Sequence, residues 1–269
     1  MADPISLAEA VVLGVVQGAT EFLPVSSDGH LAIGAMLFGN HEMPLAFVVM
    51  LHAGTLLATL IAFRNDVAQL TVSLARGLRS PRDFLKTDDG WLTLTIVVAS
   101  VPTAIVGLLL EHRVEAWASV KWIVGVCLLG SAAIIALPAL VRGKTERLTV
   151  PAALLLGAAQ GLAVLPGLSR SGTSIGVAML LGMTGPKAFR LSFLMSLPAV
   201  GGAVLLKALH PEALEGLGAQ AAIGAVVAFV VGLLAIWAVR ESVSRGKLWA
   251  FAVYLTPLGI ALIVWQFFS

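Results

Sequence analysis

Glu21-Phe-Leu-Pro-Val-Ser-Ser-Asp-Gly-His30 interrupts an apolar stretch that runs from residue 5 to residue 39. A second polar cluster, Pro166-Gly-Leu-Ser-Arg-Ser-Gly-Thr-Ser174, interrupts the apolar stretch 149–183. Ionisable groups in such places are expensive in lipid and mark function. The chain around them is built for a bilayer. It has 269 residues, 58% hydrophobic and 12% charged, with mean hydropathy +0.96; a soluble domain carries about a quarter charged residues. These numbers define an all-α polytopic membrane protein. A formal charge of +2 gives no reason to expect a nucleic-acid partner. The single cysteine, Cys127, lies in an apolar run, excludes an intramolecular disulfide and reads as packing. The N-terminal Met-Ala-Asp-Pro lacks the basic start of a cleavable signal peptide, so the first apolar segment is expected to stay.

A helical span needs about 20 mostly apolar residues. Six stretches qualify: 44–63, 91–111, 119–141, 188–208, 219–239 and 248–267. The two interrupted regions yield pieces too short to cross. Pro24 and Gly29 break the first; Pro166, Gly167 and Gly172 break the second. Irregular backbone at membrane depth is tolerated only where protein or a cavity surrounds it. The expectation is therefore about six transmembrane helices plus two re-entrant helix–loop–helix hairpins. Basic residues crowd the connections 64–90, 142–147 and 240–247: Arg64, Arg76, Arg79, Arg82, Lys86, Arg142, Lys144, Arg147, Arg240, Arg245 and Lys247. The alternate connections hold Arg113, Lys121 and Lys207 beside Glu111, Glu115, Glu212 and Glu215. The positive-inside rule puts the basic connections in the cytoplasm and both termini outside.

Shifting the chain by 143 residues superimposes Leu13, Gly14, Gln17, Gly18, Ser26, Gly29, Ala35, Met36, Leu37 and Gly39 on identical residues from Leu156 to Gly182. With a shift of 142, Pro44, Ala46 and Phe47 fall on Pro186, Ala188 and Phe189. The chain thus reads as one integral membrane domain with internal repeats over approximately 5–141 and 149–267. Each repeat is a broken hairpin followed by three spans, so the second copy is inverted. Such repeats place a site near the midplane, where the two broken tips meet.

The first tip offers Glu21, Ser26, Ser27, Asp28 and His30; the second offers Ser169, Arg170, Ser171, Gly172, Thr173 and Ser174. Arg170 is a forked, permanently charged donor suited to phosphate oxygens. Hydroxyls, glycine amides and a helix start beside it suit an anion. His30 can move a proton near neutral pH, and Ser26 or Ser27 can attack phosphorus once deprotonated. Glu21 and Asp28 can hold a divalent metal or orient their neighbours. Together these fit hydrolysis of a lipid-linked phosphate or diphosphate. Blander readings stand beside this one. Arg170 pairing with a carboxylate and serines acting as helix caps would make the cluster structural. Gln17 and Gln160 are expected to hydrogen-bond between helices. His52 is expected to be a structural histidine, and Lys121 and Arg190 to extend to the interface. Glu9 stays ambiguous, and His41, His112 and His210 lie in connections. Tips meeting at the midplane also suit a transporter of an anionic lipid or a phosphate-bearing solute.

Gln17-Gly-Ala-Thr-Glu-Phe-Leu-Pro-Val-Ser-Ser-Asp-Gly-His30 resembles the first signature of the bacterial undecaprenyl-diphosphate phosphatases, the bacitracin-resistance family. Gln160-Gly-Leu-Ala-Val-Leu-Pro-Gly-Leu-Ser-Arg-Ser-Gly-Thr-Ser174 resembles the second. Leu51-His-Ala-Gly-Thr-Leu-Leu57 and Ala188-Phe-Arg-Leu-Ser-Phe-Leu194 are similar to the stretches that follow them. The resemblance implies a hydrolase of the inner membrane. It removes the terminal phosphate of undecaprenyl diphosphate, which recycles the carrier for peptidoglycan and confers bacitracin resistance. It implies a divalent cation, Mg2+ or Ca2+, and as partners a polyprenyl diphosphate lipid and the bilayer; a homodimer is compatible with it. By the resemblance, catalytic roles map to Glu21, Ser27, His30 and Arg170. The chemistry of the residues themselves adds Ser26, Ser169, Ser171, Gly172 and Thr173 as substrate contacts and Glu21 with Asp28 as metal ligands. The alternative is a transporter or flippase of polyprenyl phosphate lipids using the same midplane site, or a silent binder of them. This chain departs from the pattern at two positions. Gln17 stands where many members carry an acid, and Asp28 where Ser or Thr is usual.

Overall fold

A computed structural model describes residues 5–37, 45–118, 120–141, 143–209 and 218–268. Gly39, His41, Pro44, Arg142, His210, Glu212 and Glu215 lie outside the described residues, as do the side chains of Ala35, Met36, Leu37, Glu111, Glu115 and Lys207. The described residues are overwhelmingly helical. In order they are α1 (Leu7–Thr20), α2 (Ser27–Leu37), α3 (Leu45–Ala62), α4 (Arg64–Arg79), α5 (Pro81–Phe84), α6 (Asp88–Ala118), α7 (Lys121–Ala136), α8 (Val150–Leu162), α9 (Arg170–Leu180), α10 (Gly185–Ala208), α11 (Ala219–Ser244) and α12 (Ala250–Phe268).

Five stretches among these residues are long and apolar enough to cross a membrane: Asp88–Leu110, Lys121–Leu140, Gly185–Leu206, Ala219–Ser244 and Ala250–Phe268. The sixth expected span is α3, followed directly by α4 across a bend of 77°. The region 64–90, read from sequence as a connection, instead folds as α4, α5 and the start of α6. Arg190, expected to extend to the interface, pairs with Asp66 at 2.5 Å. The Lys121 ammonium lies 4.2 Å from the centre of the Trp265 ring.

The broken regions follow their local chemistry. Ser6 caps α1 and Glu9 completes a capping box, which gives Glu9 a structural role. The turn Glu21–Val25 then contains Pro24, which has no N–H to continue a helix. The second region repeats the plan: Thr149 caps α8, and Pro166 and Gly167 fall in the turn before α9.

The hairpins pack across the halves through glycines, which let helix backbones approach closely. A Cβ on Gly14 or Gly18 of α1 would meet the carbonyls of Gly224 and Ala228 on α11 at 2.7 and 2.6 Å. Their counterparts under the 143-residue shift, Gly157 and Gly161 of α8, lie instead against α6. A Cβ on Gly157 would fall 2.0 Å from the Ala99 carbonyl oxygen. The Thr103 hydroxyl bridges the same helices, donating to the carbonyls of Ala99 (2.9 Å) and Gly157 (2.8 Å). Between α7 and α12, Gly125 and Gly259 face each other's carbonyls. Beside the hairpin tips sits an aromatic core of Phe22, Phe63, Phe189 and Phe193, with Phe189 and Phe193 centred 4.4 Å apart.

Candidate active site

The two tips touch. A Cβ on Gly29 would lie 3.5 Å from the Gly167 Cα, and one on Gly172 would lie 3.0 Å from the Pro24 Cβ. These two contacts exchange under the 143-residue shift. The Ser171 hydroxyl also donates across the junction to the Leu23 carbonyl at 3.3 Å.

Glu21 is the centre of the cluster. It follows α1 directly, its backbone N–H bonded to the Gln17 carbonyl, with Phe22 buried in the aromatic core beside it. One carboxylate oxygen, Oε1, accepts from the Arg170 guanidinium. The other, Oε2, accepts from the Ser27 hydroxyl at 2.7 Å and the Gln17 amide at 3.0 Å. Glu21 is buried, and the Arg170 side chain is 23% exposed. Burial of the carboxylate is therefore compensated by a charge-assisted bond and two neutral donors. Gln17 thus serves this cluster within its own hairpin, where the sequence suggested a bond between helices.

Ser27 opens α2. Ser26 before it has φ 71°, the only positive φ among the described non-glycine residues. A serine held there costs about 1–3 kcal/mol and persists only where the surroundings enforce it. Here the Ser26 carbonyl accepts from the His30 N–H at 3.3 Å and from its ring Nδ1 at 2.7 Å. His30 Nε2 lies 2.7 Å from the Tyr254 hydroxyl on α12, and the two rings stack. Both ring nitrogens of His30 are thus engaged away from Glu21, although its i+3 spacing keeps it on the same face of α2 as Ser27.

The imidazole that faces the carboxylates is His52, on α3. Its Nδ1–H donates to the Val48 carbonyl at 3.0 Å. Its Nε2 lies 3.9 Å from Glu21 Oε2 and 4.0 Å from the half-exposed Asp28 Oδ1. Those separations exceed a direct hydrogen bond and suit a bridging water. The sequence motif that holds His52 was visible, but nothing in it distinguished a site residue from a structural one.

On the second tip, Ser169 caps α9 and accepts from the Gly172 N–H at 3.1 Å. Ser131 of α7 holds this turn from behind: it accepts from the Ser169 N–H at 2.8 Å and donates to the Gly167 carbonyl at 3.2 Å. Ser131 is fully buried and was not anticipated from sequence. Arg170 is the first residue of α9, so its guanidinium and the helix N-terminus share one place. Thr173 Oγ1 and Gln17 Oε1 are buried with no hydrogen-bond partner among the described residues, as are both amide atoms of Gln160.

The Glu21–Arg170 pair separates two small cavities, each of about 20 Å3. Ser27, Asp28, Thr20 and Ser169 line one. Thr55, Thr59, Ser174, Ser192 and Ser196 line the other, with Phe22 and Phe193. Each is the size of about one water molecule, far below the volume of a typical ligand pocket.

The metal expectation meets an oxygen-rich but sparse donor set. Among the described residues, no group of three His, Cys, Asp or Glu side chains is placed to hold an ion. Both Glu21 oxygens are engaged, Asp28 is half exposed, and the Gln17 Oε1 acceptor is open. Such donors fit a hard cation held partly by substrate phosphates and water, and do not fit an all-protein cage.

The fold and site define a multi-pass membrane protein with a buried carboxylate–serine–arginine cluster at the meeting of two broken hairpins. Residues 10–261 match the model of the bacitracin resistance protein BacA, and the chain belongs to that family. It is similar to proteins named undecaprenyl-diphosphatase. That of Korarchaeum cryptofilum is 37% identical over 259 residues, covering 96% of this chain and 98% of the relative. That of Desulforapulum autotrophicum is 38% identical over 269 residues, with 96% and 98% covered. That of Desulfosudis oleivorans is 41% identical over 266 residues, with 93% and 95% covered.

Proposed function

We propose that this chain is a membrane phosphatase that converts undecaprenyl diphosphate to undecaprenyl phosphate and inorganic phosphate, and that Glu21, Ser27 and Arg170 carry the reaction. Family membership and the names of its relatives support the substrate. The observation that carries the site assignment is the bonding of Glu21 to both Ser27 and Arg170. Arg170 and the first turn of α9 bind the diphosphate, with Ser169, Ser171, Gly172 and Thr173 shaping the anion site and Ser26 setting the turn before Ser27. Ser27 Oγ attacks the terminal phosphorus and its proton passes to Glu21 Oε2, 2.7 Å away. The bond from phosphorus to the bridging oxygen breaks, and undecaprenyl phosphate leaves as the anion. Water then hydrolyses the phosphoserine. His30 acts as the proton carrier on α2 once its ring leaves Tyr254. A bound Mg2+ or Ca2+, held by Glu21, Asp28 and phosphate oxygens, would neutralise charge on the diphosphate.

Location in the bacterial inner membrane, with the basic connections in the cytoplasm, belongs to the same reading. So do re-entrant hairpins within an inverted repeat, supported by the reciprocal tip contacts and by the exchanged packing of α1 on α11 and α8 on α6. The test is phosphate release from undecaprenyl diphosphate by purified protein in detergent, with magnesium, with calcium and with chelator. Release should need metal and fall by about 100-fold or more in Arg170→Lys, because a point charge does not replace the fork. Ser27→Ala should be nearly inactive. Absence of release from folded, lipid-binding protein overturns the proposal.

A further inference from the structure

Helix α4 leaves α3 at 77°, so if α3 crosses the bilayer, α4 runs along its surface. The corner is fixed by Phe63, which is buried against Phe189 and Phe193. Along α4, Val67, Leu70, Leu74 and Leu78 recur at helical spacing and form one apolar line. Val67 and Leu70 are partly buried, and Gly77 lies against the Phe84 ring. The line then emerges: Leu74 is 48% and Leu78 82% exposed, and Val72 (48%) flanks them.

The charges beside this line are unbalanced. Its acids are already matched: Asp66 with Arg190, Asp83 with Lys86, Asp88 with Arg147, and Asp89 with Arg190 at 3.8 Å. Arg64, Arg76, Arg79 and Arg82 have no carboxylate within 4.0 Å among the described residues. Four guanidinium groups without a carboxylate partner therefore sit within 19 positions, three on α4 beside its exposed leucines and Arg82 on α5. That pairing of apolar face and cationic flank is what an interfacial helix requires. The apolar side enters the boundary between headgroups and acyl chains, and the cations meet anionic phosphates. Guanidinium forks match phosphate oxygens in geometry as well as charge.

We propose that α4 and α5 form an anionic-phospholipid docking surface on the leaflet they lie against, with Leu74 and Leu78 as the inserted face and Arg76, Arg79 and Arg82 as the headgroup contacts. This inference is independent of the phosphatase chemistry, because none of these residues lines the site.

The test uses the full chain in nanodiscs of phosphatidylcholine containing a fraction of phosphatidylglycerol. Leu78→Cys, in a Cys127→Ser background, is spin-labelled, and its accessibility to oxygen and to a water-soluble nickel complex is compared. Native mass spectrometry then reads the ratio of retained phosphatidylglycerol to phosphatidylcholine. The label should favour oxygen over nickel. Retained phosphatidylglycerol should fall several-fold in Arg76→Gln/Arg79→Gln/Arg82→Gln, and in the unmodified protein as salt rises. If the triple variant does not fold, the salt series and the single Arg79→Gln variant carry the test. A water-exposed label, or a lipid ratio unmoved by salt and by the substitutions, overturns the proposal.

Discussion

Glu21 bonds to Ser27, Gln17 and Arg170 at once, while His52 waits 3.9 Å away. His52 is the residue whose importance changes most between sequence and structure. Its Nε2 lies within 4.0 Å of carboxylate oxygens of both Glu21 and Asp28. Its Nδ1 is tied to Val48, so Nε2 is what the site meets. His52→Leu would leave two carboxylates facing an apolar wall, and kcat should fall roughly 10- to 100-fold, the loss seen when a group that orients site ligands is removed. His52→Gln, which keeps a polar atom in reach of the same place, should recover most of that loss. Comparing kcat and KM for the two variants separates positioning from packing. Equal damage in both would place His52 among structural residues after all. The motif residues Glu21, Ser27 and Arg170 were legible because polar groups clustered in apolar sequence demand a reason. A single polar residue in a span, such as His52 or Ser131, makes no such demand. Its meaning depends on which neighbour the fold delivers.

The breaks at Pro24 and Pro166 and the serine caps that follow were readable from local chemistry, and the helices begin at Ser27 and Arg170 accordingly. Helix α4 was missed because its arginines lower the hydropathy of any long window, although Val67, Leu70, Leu74 and Leu78 already carried the period. The glycines of the repeat were visible in the sequence, but their use emerges only in the packing of α1 on α11 and of α8 on α6. Gly157→Ala should lower thermal stability and expression in detergent, since its Cβ would fall 2.0 Å from the Ala99 carbonyl oxygen. Overpacking of this kind costs about 1–3 kcal/mol or more. Gly130→Ala on α7 is the control: nothing lies within 4 Å of its Cβ position, and alanine improves helix propensity by about 1 kcal/mol. A melting curve for each variant decides it. Loss of stability in Gly157→Ala alone is expected.

Across the whole molecule, the halves are interleaved: the first arm of each hairpin packs on a span of the other half. The hairpin arm α1 leans on α11, and α8 leans on α6. The tips meet, and Arg170 from one completes the charge of Glu21 from the other. The internal repeat already brought the two tips together on paper. A carboxylate partner for Arg170 was legible too; that Glu21 takes it and Asp28 does not depends on side-chain placement across 149 positions.

That occupation has a consequence for inhibition. In the proposed reaction Arg170 holds a phosphate oxygen, and the Glu21 carboxylate occupies that seat, so on this reading the resting protein carries its own competitor. Every incoming anion is weighed against a tethered one, which weakens free phosphate more than a substrate with a long lipid tail to hold it. Glu21→Gln removes the rival charge while keeping the shape. It should turn over far more slowly, yet bind inorganic phosphate several-fold more tightly, as calorimetric titration would read. The tethered carboxylate would then be what keeps the released product from lingering on the enzyme.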